Sequence, residues 1–178
     1  MKKNKAVFID RDGVINEVLT KRVKFVNKPT DLYYLDKVPG AIKMLTSAGY
    51  KVFIVTNQGG VGLGYLTERQ LENIHTKMKH DLESEGGEIQ DIACCIHKPN
   101  EGCSCRKPEA GMILKLAEQY EIDIEKSFMI GDRDVDIEAG KKAGCSTIFI
   151  GNEDNTVEAD TSFQTLYAAA NWLKSTSN

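Results

Sequence analysis

The chain has 178 residues, 41% hydrophobic and 28% charged, ordinary proportions for a globular protein. At roughly 150 residues per domain, that length predicts a single domain spanning 1–178. The composition excludes a wholly disordered chain, a collagen-like fibre and a disulfide-dense miniprotein. Lys and Arg number 23 against 26 Asp and Glu, a net charge of -3 that offers no basic stripe for nucleic acid.

No apolar run approaches the ~20 residues of a membrane helix. The charged start, Met1 to Lys5, is followed by only a short apolar stretch, Ala6 to Ile9. A secretory signal needs about 7–15 such residues, so none is expected. Most of the cysteines cluster between Cys94 and Cys105, with His97 among them. Clustered thiols without an export signal point to a reducing compartment and a metal, hence a cytoplasmic address.

In chain order, the first element is a buried strand, Ala6 to Ile9. Ala41, Ile42, Leu45 and Ala48 then follow helical spacing up to Gly49, a natural C-cap. A strand follows at Val52 to Val55. Thr67-Glu-Arg-Gln70 reads as a capping box opening a helix whose apolar stripe is Leu71, Ile74, Met78 and Leu82. On that helix His75 and His80 are five apart, which puts them on different faces, and both are expected at the surface. A weaker strand lies within Ile89 to Ile96. After Pro108, Met112, Leu114, Leu116 and Tyr120 predict a helix. Ser127 to Ile130 is the next strand, Val135 to Ala143 a helix closed by Gly144, and Thr147 to Ile150 the last strand. Phe163 to Leu173 predicts a terminal helix. This alternation predicts an α/β fold, a Rossmann-like, mostly parallel sheet between helices.

Ligands of such sheets bind beyond the carboxyl ends of the strands. The residues there are Asp10-Arg11-Asp12-Gly13, Thr56-Asn57-Gln58-Gly59, His97 onward, Gly131-Asp132-Arg133-Asp134-Val135-Asp136, and Gly151-Asn152. Alone, Asp10 to Gly13 is an acidic turn, and Asp132 with Asp136 is a pair of acids at a helix N-terminus. Both at one sheet edge require a counter-charge, and carboxylate and carbonyl oxygens favour Mg²⁺. A hydroxyl in a Gly-rich turn at Thr56 and an ammonium at Lys107 suit phosphate oxygens.

The order Asp10-x-Asp12-Gly-Val, Thr56-Asn57, Lys107 and Gly131-Asp132-x-x-x-Asp136 resembles the four motifs of the haloacid dehalogenase-like phosphohydrolases, over nearly the whole chain. With Cys95-x-His97 and Cys103-x-Cys105-Arg106-Lys107-Pro108, it is similar to the subgroup of heptose-1,7-bisphosphate 7-phosphatases and histidinol-phosphate phosphatases. The resemblance implies a role for each residue. Asp10 is the nucleophile that forms an aspartyl-phosphate. Asp12 is the acid for the leaving sugar oxygen and then the base for water. Asp10, Asp132 and the carbonyl of Asp12 hold Mg²⁺, and Asp136 orients the metal shell. Thr56 and Lys107 grip the phosphoryl group. Arg11, Asn57, Gln58, Gly59, Arg106 and Arg133 are expected to face the substrate.

Cys95, His97, Cys103 and Cys105 suit a closed, structural Zn²⁺ site in a loop over about 94–107, placed to aim Lys107. Cys94, on the opposite strand face from Cys95, is expected to be a core thiol, as is Cys145. The spacing leaves about 14–37 as loop and no room for a separate cap domain. Within it, Lys21, Arg22, Lys24 and Lys28 form either a solvated basic surface or a contact for a second phosphate. The stretch Glu17 to Phe25 departs from the shorter Gly-Tyr-containing segment usual among the heptose phosphatases. The expected substrate is heptose 1,7-bisphosphate, with histidinol phosphate or another small phosphate ester as the rival. A second class is a non-catalytic metal-bound phosphate-binding module, which would have little need for both Asp10 and Asp12. A zinc-finger nucleic-acid binder fits the acidic balance poorly. The chain is expected to act as a monomer on a small phosphorylated substrate, with no nucleic-acid or membrane partner.

Overall fold

A computed structural model describes residues 3–152 and 156–177. Of the charged start, Met1 and Lys2 lie outside the described residues. Six parallel strands form one sheet: β1 (Ala6–Ile9), β2 (Lys51–Asn57), β3 (Asp91–Cys95), β4 (Phe128–Gly131), β5 (Ser146–Ile150) and β6 (Thr161–Phe163). Their order is β3-β2-β1-β4-β5-β6. The helices are α1 (Val38–Ser47), α2 (Gly59–Gly62), α3 (Glu68–Glu83), α4 (Gly111–Gln119), α5 (Asp134–Ala143) and α6 (Leu166–Thr176).

The central strands are apolar on both faces because helices cover both. Val7, Ile9, Val52, Ile54, Ile130 and Ile148 point to one core, shared with buried residues of α1, α3 and α6. Their neighbours Phe8, Phe53, Val55 and Met129 point to the other, shared with α4 and α5. The Thr67 capping box forms as the sequence predicts, with the Thr67 hydroxyl accepting from Gln70 N and Gln70 Oε1 accepting from Thr67 N. Gly144 closes α5 with φ of +94°, a conformation that disfavours a side chain.

Two local expectations change. Leu114 is exposed, and the buried face of α4 is Met112, Ile113, Leu116 and Ala117. The short β6 was not predicted from its polar sequence, Thr-Ser-Phe. The segment 14–37 is a loop with one 3-10 turn at Pro29–Asp31, fastened by the buried Val14, Ile15, Val23, Val26 and Leu32. It forms no separate cap domain.

The sheet register sets the site. Ile9 pairs with Ile54 on one side and with Ile130 on the other. The residues that follow, Asp10, Val55 and Gly131, therefore emerge at one level. The strand order reverses at β1, so the crevice between β1 and β4 is the topological switch point where ligands bind such sheets.

Candidate active site

Asp10 leaves the end of β1, its N–H bonded to the Ile130 carbonyl at 3.0 Å. Asp132 follows the end of β4, and Asp136 lies in the first turn of α5, where its Oδ2 accepts from the Arg133 N–H at 3.1 Å. Carboxylate oxygens of Asp10, Asp132 and Asp136 lie within 4.8 Å of one another. Two glycines allow this crowding. A Cβ on Gly13, whose φ is +88°, would collide with the Asp132 carboxylate, and one on Gly131 would collide with Asp136.

Lys107 is the counter-charge. Its buried ammonium donates to Asp10 Oδ1 at 2.8 Å, Asp136 Oδ1 at 2.6 Å and the Val55 carbonyl at 3.0 Å. Burial alone would depress its pKa, but Asp10 and Asp136 outweigh burial and raise it. Burial pushes the Asp10 carboxyl well above its usual range, Lys107 pulls it down, and Asp136 and Asp132 add to the rise. Asp132 is likewise raised, first by burial and then by Asp136. One ammonium leaves three close carboxyls short of positive charge. Asp132 Oδ1 is moreover buried with no hydrogen-bond partner. An all-oxygen set with an orphaned acceptor fits a hard divalent cation. Asp136, expected only to orient the shell, stands within the set itself.

Asp12 is held differently. Its Oδ1 accepts from Arg11 Nε at 3.1 Å, Arg11 Nη2 at 3.0 Å and Asn16 Nδ2 at 3.0 Å. Its Oδ2 accepts from Gln58 Nε2 at 3.1 Å. Burial opposes the charge, yet Arg11 and these hydrogen bonds outweigh it and hold the carboxyl below its usual range. Asp12 thus rests as the anion, the form suited to taking a proton.

Several residues expected to face the substrate are occupied elsewhere. Arg11 is buried, with Nε and Nη2 on Asp12 and Nη1 at 3.0 Å from His75 Nε2. Asn57 clamps the Lys107 backbone, its Oδ1 accepting from Lys107 N at 2.9 Å and its Nδ2 donating to Lys107 O at 3.0 Å. Gln58 Nε2 also donates to Thr56 Oγ1 at 2.8 Å, which links the buried Thr56 to Asp12. Gly59 opens α2 so close to the cysteine loop that a Cβ would press on Arg106 Nη1 at 3.1 Å and His97 O at 3.2 Å. Arg106 and Arg133 do face a cleft of about 680 Å³ beside Asn57 and Lys107. Arg106 Nη1 is buried without a partner.

The thiol cluster closes as the spacing predicts. Cys95 Sγ is 3.4 Å from His97 Nδ1, 3.6 Å from Cys103 Sγ and 3.0 Å from Cys105 Sγ, and His97 Nδ1 is 3.1 Å from Cys105 Sγ. Ligands about 2.3 Å from one tetrahedral ion stand roughly 3.8 Å apart, so this set needs only slight opening to hold Zn²⁺. The cluster sits directly before Arg106 and Lys107.

Two minor expectations fail. Cys94 is exposed, not a core thiol, because β3 is an edge strand whose outer face is left open beside α3. Cys145 is buried as expected. His75 is buried, since it lies four residues after Leu71 and three before Met78 on the apolar stripe of α3. His80 is exposed. In the basic loop, Arg22 pairs with Glu17 at 2.7 Å and lies over the Tyr33 ring, while Lys24 lies over Phe25.

Comparison with known proteins agrees with this geometry. The D-glycero-alpha-D-manno-heptose-1,7-bisphosphate 7-phosphatase of Photorhabdus laumondii is 38% identical over 155 residues, 83% of this chain and 82% of that protein. The chain belongs to the family of haloacid dehalogenase-like phosphatases that includes these heptose-bisphosphate enzymes. A beta-anomer phosphatase of that family from Helicobacter pylori is also 38% identical, over 80% of this chain and 81% of its own. Residues 104–171 match the HAD-hydrolase-like family model. The crystal structure of the D,D-heptose 1,7-bisphosphate phosphatase from B. bronchiseptica, complexed with magnesium and phosphate, superposes with a TM-score of 0.86 at 32% identity. That match covers 97% of this chain and 99% of that one. Among the described residues no helix is long and apolar enough to cross a membrane.

Proposed function

We propose that this chain, as one phosphohydrolase domain acting as a monomer, removes the 7-phosphate of D-glycero-D-manno-heptose 1,7-bisphosphate with Mg²⁺ and an aspartyl-phosphate intermediate. The observation that carries the chemistry is the meeting of Asp10, Asp132 and Lys107 at the switch point of the sheet. Relatives named for both anomers of this sugar support the substrate. A cytoplasmic location accords with a cluster of reduced thiols.

Asp10 and Asp132, with the Asp12 carbonyl, would hold Mg²⁺, and the orphaned Asp132 Oδ1 is the atom most in need of it. Bound there, the ion supplies positive charge against the phosphate and the carboxylates. One carboxylate and one phosphate charge about 4 Å apart repel by roughly 4 kcal/mol at an effective dielectric near 20, so charge balance decides whether substrate enters.

Lys107 and Thr56 position the phosphoryl group against Asp10. An Asp10 carboxylate oxygen forms a bond to phosphorus as the bond from phosphorus to the sugar oxygen breaks. Asp12 enters this step carrying the proton it takes from the attacking water of the preceding turnover, gives it to the leaving oxygen and returns to the anion its surroundings favour. Water then attacks phosphorus, its proton passes to Asp12, and phosphate departs with the Asp10 carboxylate restored. Arg106 and Arg133 line the cleft for the remainder of the substrate. The cysteine–histidine cluster would hold Zn²⁺ as a structural knot, fixing the loop that delivers Lys107.

The test is phosphate release by purified, zinc-replete protein, with and without Mg²⁺, from both heptose 1,7-bisphosphate anomers, histidinol phosphate and simple sugar phosphates. Mg²⁺-dependent release fastest from a heptose bisphosphate supports the reading. A preference for histidinol phosphate over both anomers overturns the substrate. Release from none of these esters favours a phosphate-binding module instead.

A further inference from the structure

Behind Asp12 stand Arg11, expected to face the substrate, and His75, expected at the surface, and both are buried. Arg11 is 1% exposed, and its guanidinium reaches both ways. Nε and Nη2 donate to Asp12, while Nη1 lies 3.0 Å from Nε2 of His75, on α3, 64 residues further along the chain. A guanidinium has only donors, so His75 Nε2 must accept, which leaves the ring neutral with its proton on Nδ1. A buried donor without a partner carries a desolvation penalty and turns to find one. Arg11 carries three polar nitrogens in a plane, and satisfying Nη1 from the far side leaves the other two aimed at Asp12.

We propose that His75 is a positioning residue for Asp12, acting through Arg11. Its acceptor nitrogen fixes the guanidinium plane, and that plane fixes the Asp12 carboxylate where it meets the leaving oxygen and the attacking water. The proposal rests on the reading of Asp12 given above. His75 itself touches no reacting atom. It lines a separate cleft of about 560 Å³ between α3 and β3.

Three substitutions separate positioning from packing. His75→Leu suits the apolar neighbours of α3 but removes the acceptor. His75→Gln keeps an acceptor at a similar reach, and His75→Asn keeps an amide that falls short. Steady-state rates are measured on heptose 1,7-bisphosphate with Mg²⁺, at a temperature where circular dichroism shows each variant folded. His75→Leu and His75→Asn should lower kcat about 10-fold or more with KM within about twofold, because a displacement near 1 Å can cost 10²-fold. His75→Gln should recover most of that loss. In a double-mutant cycle, adding His75→Leu to Asp12→Asn should slow the enzyme no further.

Wild-type kcat in His75→Leu and His75→Asn while Asp12→Asn is slow overturns the positioning role alone. So does a His75→Gln variant as slow as His75→Leu, or losses that multiply in the cycle. A wild-type rate in Asp12→Asn removes the role of Asp12 and this proposal with it.

Discussion

Lys107 donates to Asp10 Oδ1 at 2.8 Å across 97 residues of chain, and the same ammonium holds Asp136 at 2.6 Å. This buried three-residue contact joins the end of β1 to the start of α5. Replacing Lys107 by Met keeps the apolar stem and removes the charge, leaving two buried carboxyls unpaired. In Mg²⁺-free buffer, urea denaturation should show a loss of about 3–5 kcal/mol. Phosphatase activity should fall by more than about 100-fold, since a preorganised cation near the transferring group is lost. Unchanged stability and rate would contradict the pairing.

Asn57 is expected to contribute through Lys107 and not through substrate contact. Asn57→Leu strips both hydrogen bonds from the Lys107 backbone and should destabilise the protein by about 1–3 kcal/mol. In steady-state kinetics kcat should drop further than KM rises. A change confined to KM would return Asn57 to the substrate-binding role that its sequence position suggests.

Removal of the Zn²⁺ proposed for the cysteine–histidine cluster gives a prediction distinct from removal of Mg²⁺. Cys105→Ser should lose stoichiometric zinc by elemental analysis and lose about 10–100-fold in activity, as the loop before Lys107 loosens. Mg²⁺ should not restore it. Wild-type protein depleted with a thiol-competing chelator should regain activity with Zn²⁺ and Mg²⁺ together, not with Mg²⁺ alone. Full activity without zinc would separate the knot from Lys107.

His75 makes stability depend on pH in a defined window. Burial lowers its pKa to about 3, with Arg11 adding to the fall. The unfolded side chain titrates near 6.5, so between these values the unfolded chain binds a proton that the folded one does not. Stability therefore falls as pH drops from about 6.5 toward 3. At pH 5 this group alone accounts for roughly 2 kcal/mol. Denaturation at pH 7.5 and pH 5 should show His75→Gln losing about that much less than wild type. Equal losses would mean that His75 is charged in the folded state.

The central strands were legible because helices cover both faces, so Val7 to Ile9 and Val52 to Val55 read as unbroken apolar runs. Asp10, Thr56 and Asp132 were legible because parallel strands deliver their next residues to one edge. The cysteine cluster was legible because its ligands lie close in the chain. Which way a polar side chain turns was not. Arg11, Asn57 and Gln58 occupy motif positions yet spend their hydrogen bonds on neighbours, and those partners lie up to 64 residues away. His75 was misplaced by comparing it with His80, when its spacing from Leu71 and Met78 already put it on the buried stripe. Cys94 faced outward because β3 is an edge strand, a fact of topology that local alternation does not contain.

The most direct measurement asks where the phosphoryl group rests between the two half-reactions. Asp12→Asn protein, turning over an aryl phosphate whose leaving group needs no proton, should lack the base for the second step and accumulate the intermediate. After acid quench and proteolysis, mass spectrometry should find one phosphoryl group on the peptide carrying Asp10, and none when Asp10→Asn is added. A phosphoryl group on any other residue, or rapid Mg²⁺-dependent turnover by Asp10→Asn alone, would contradict attack by Asp10.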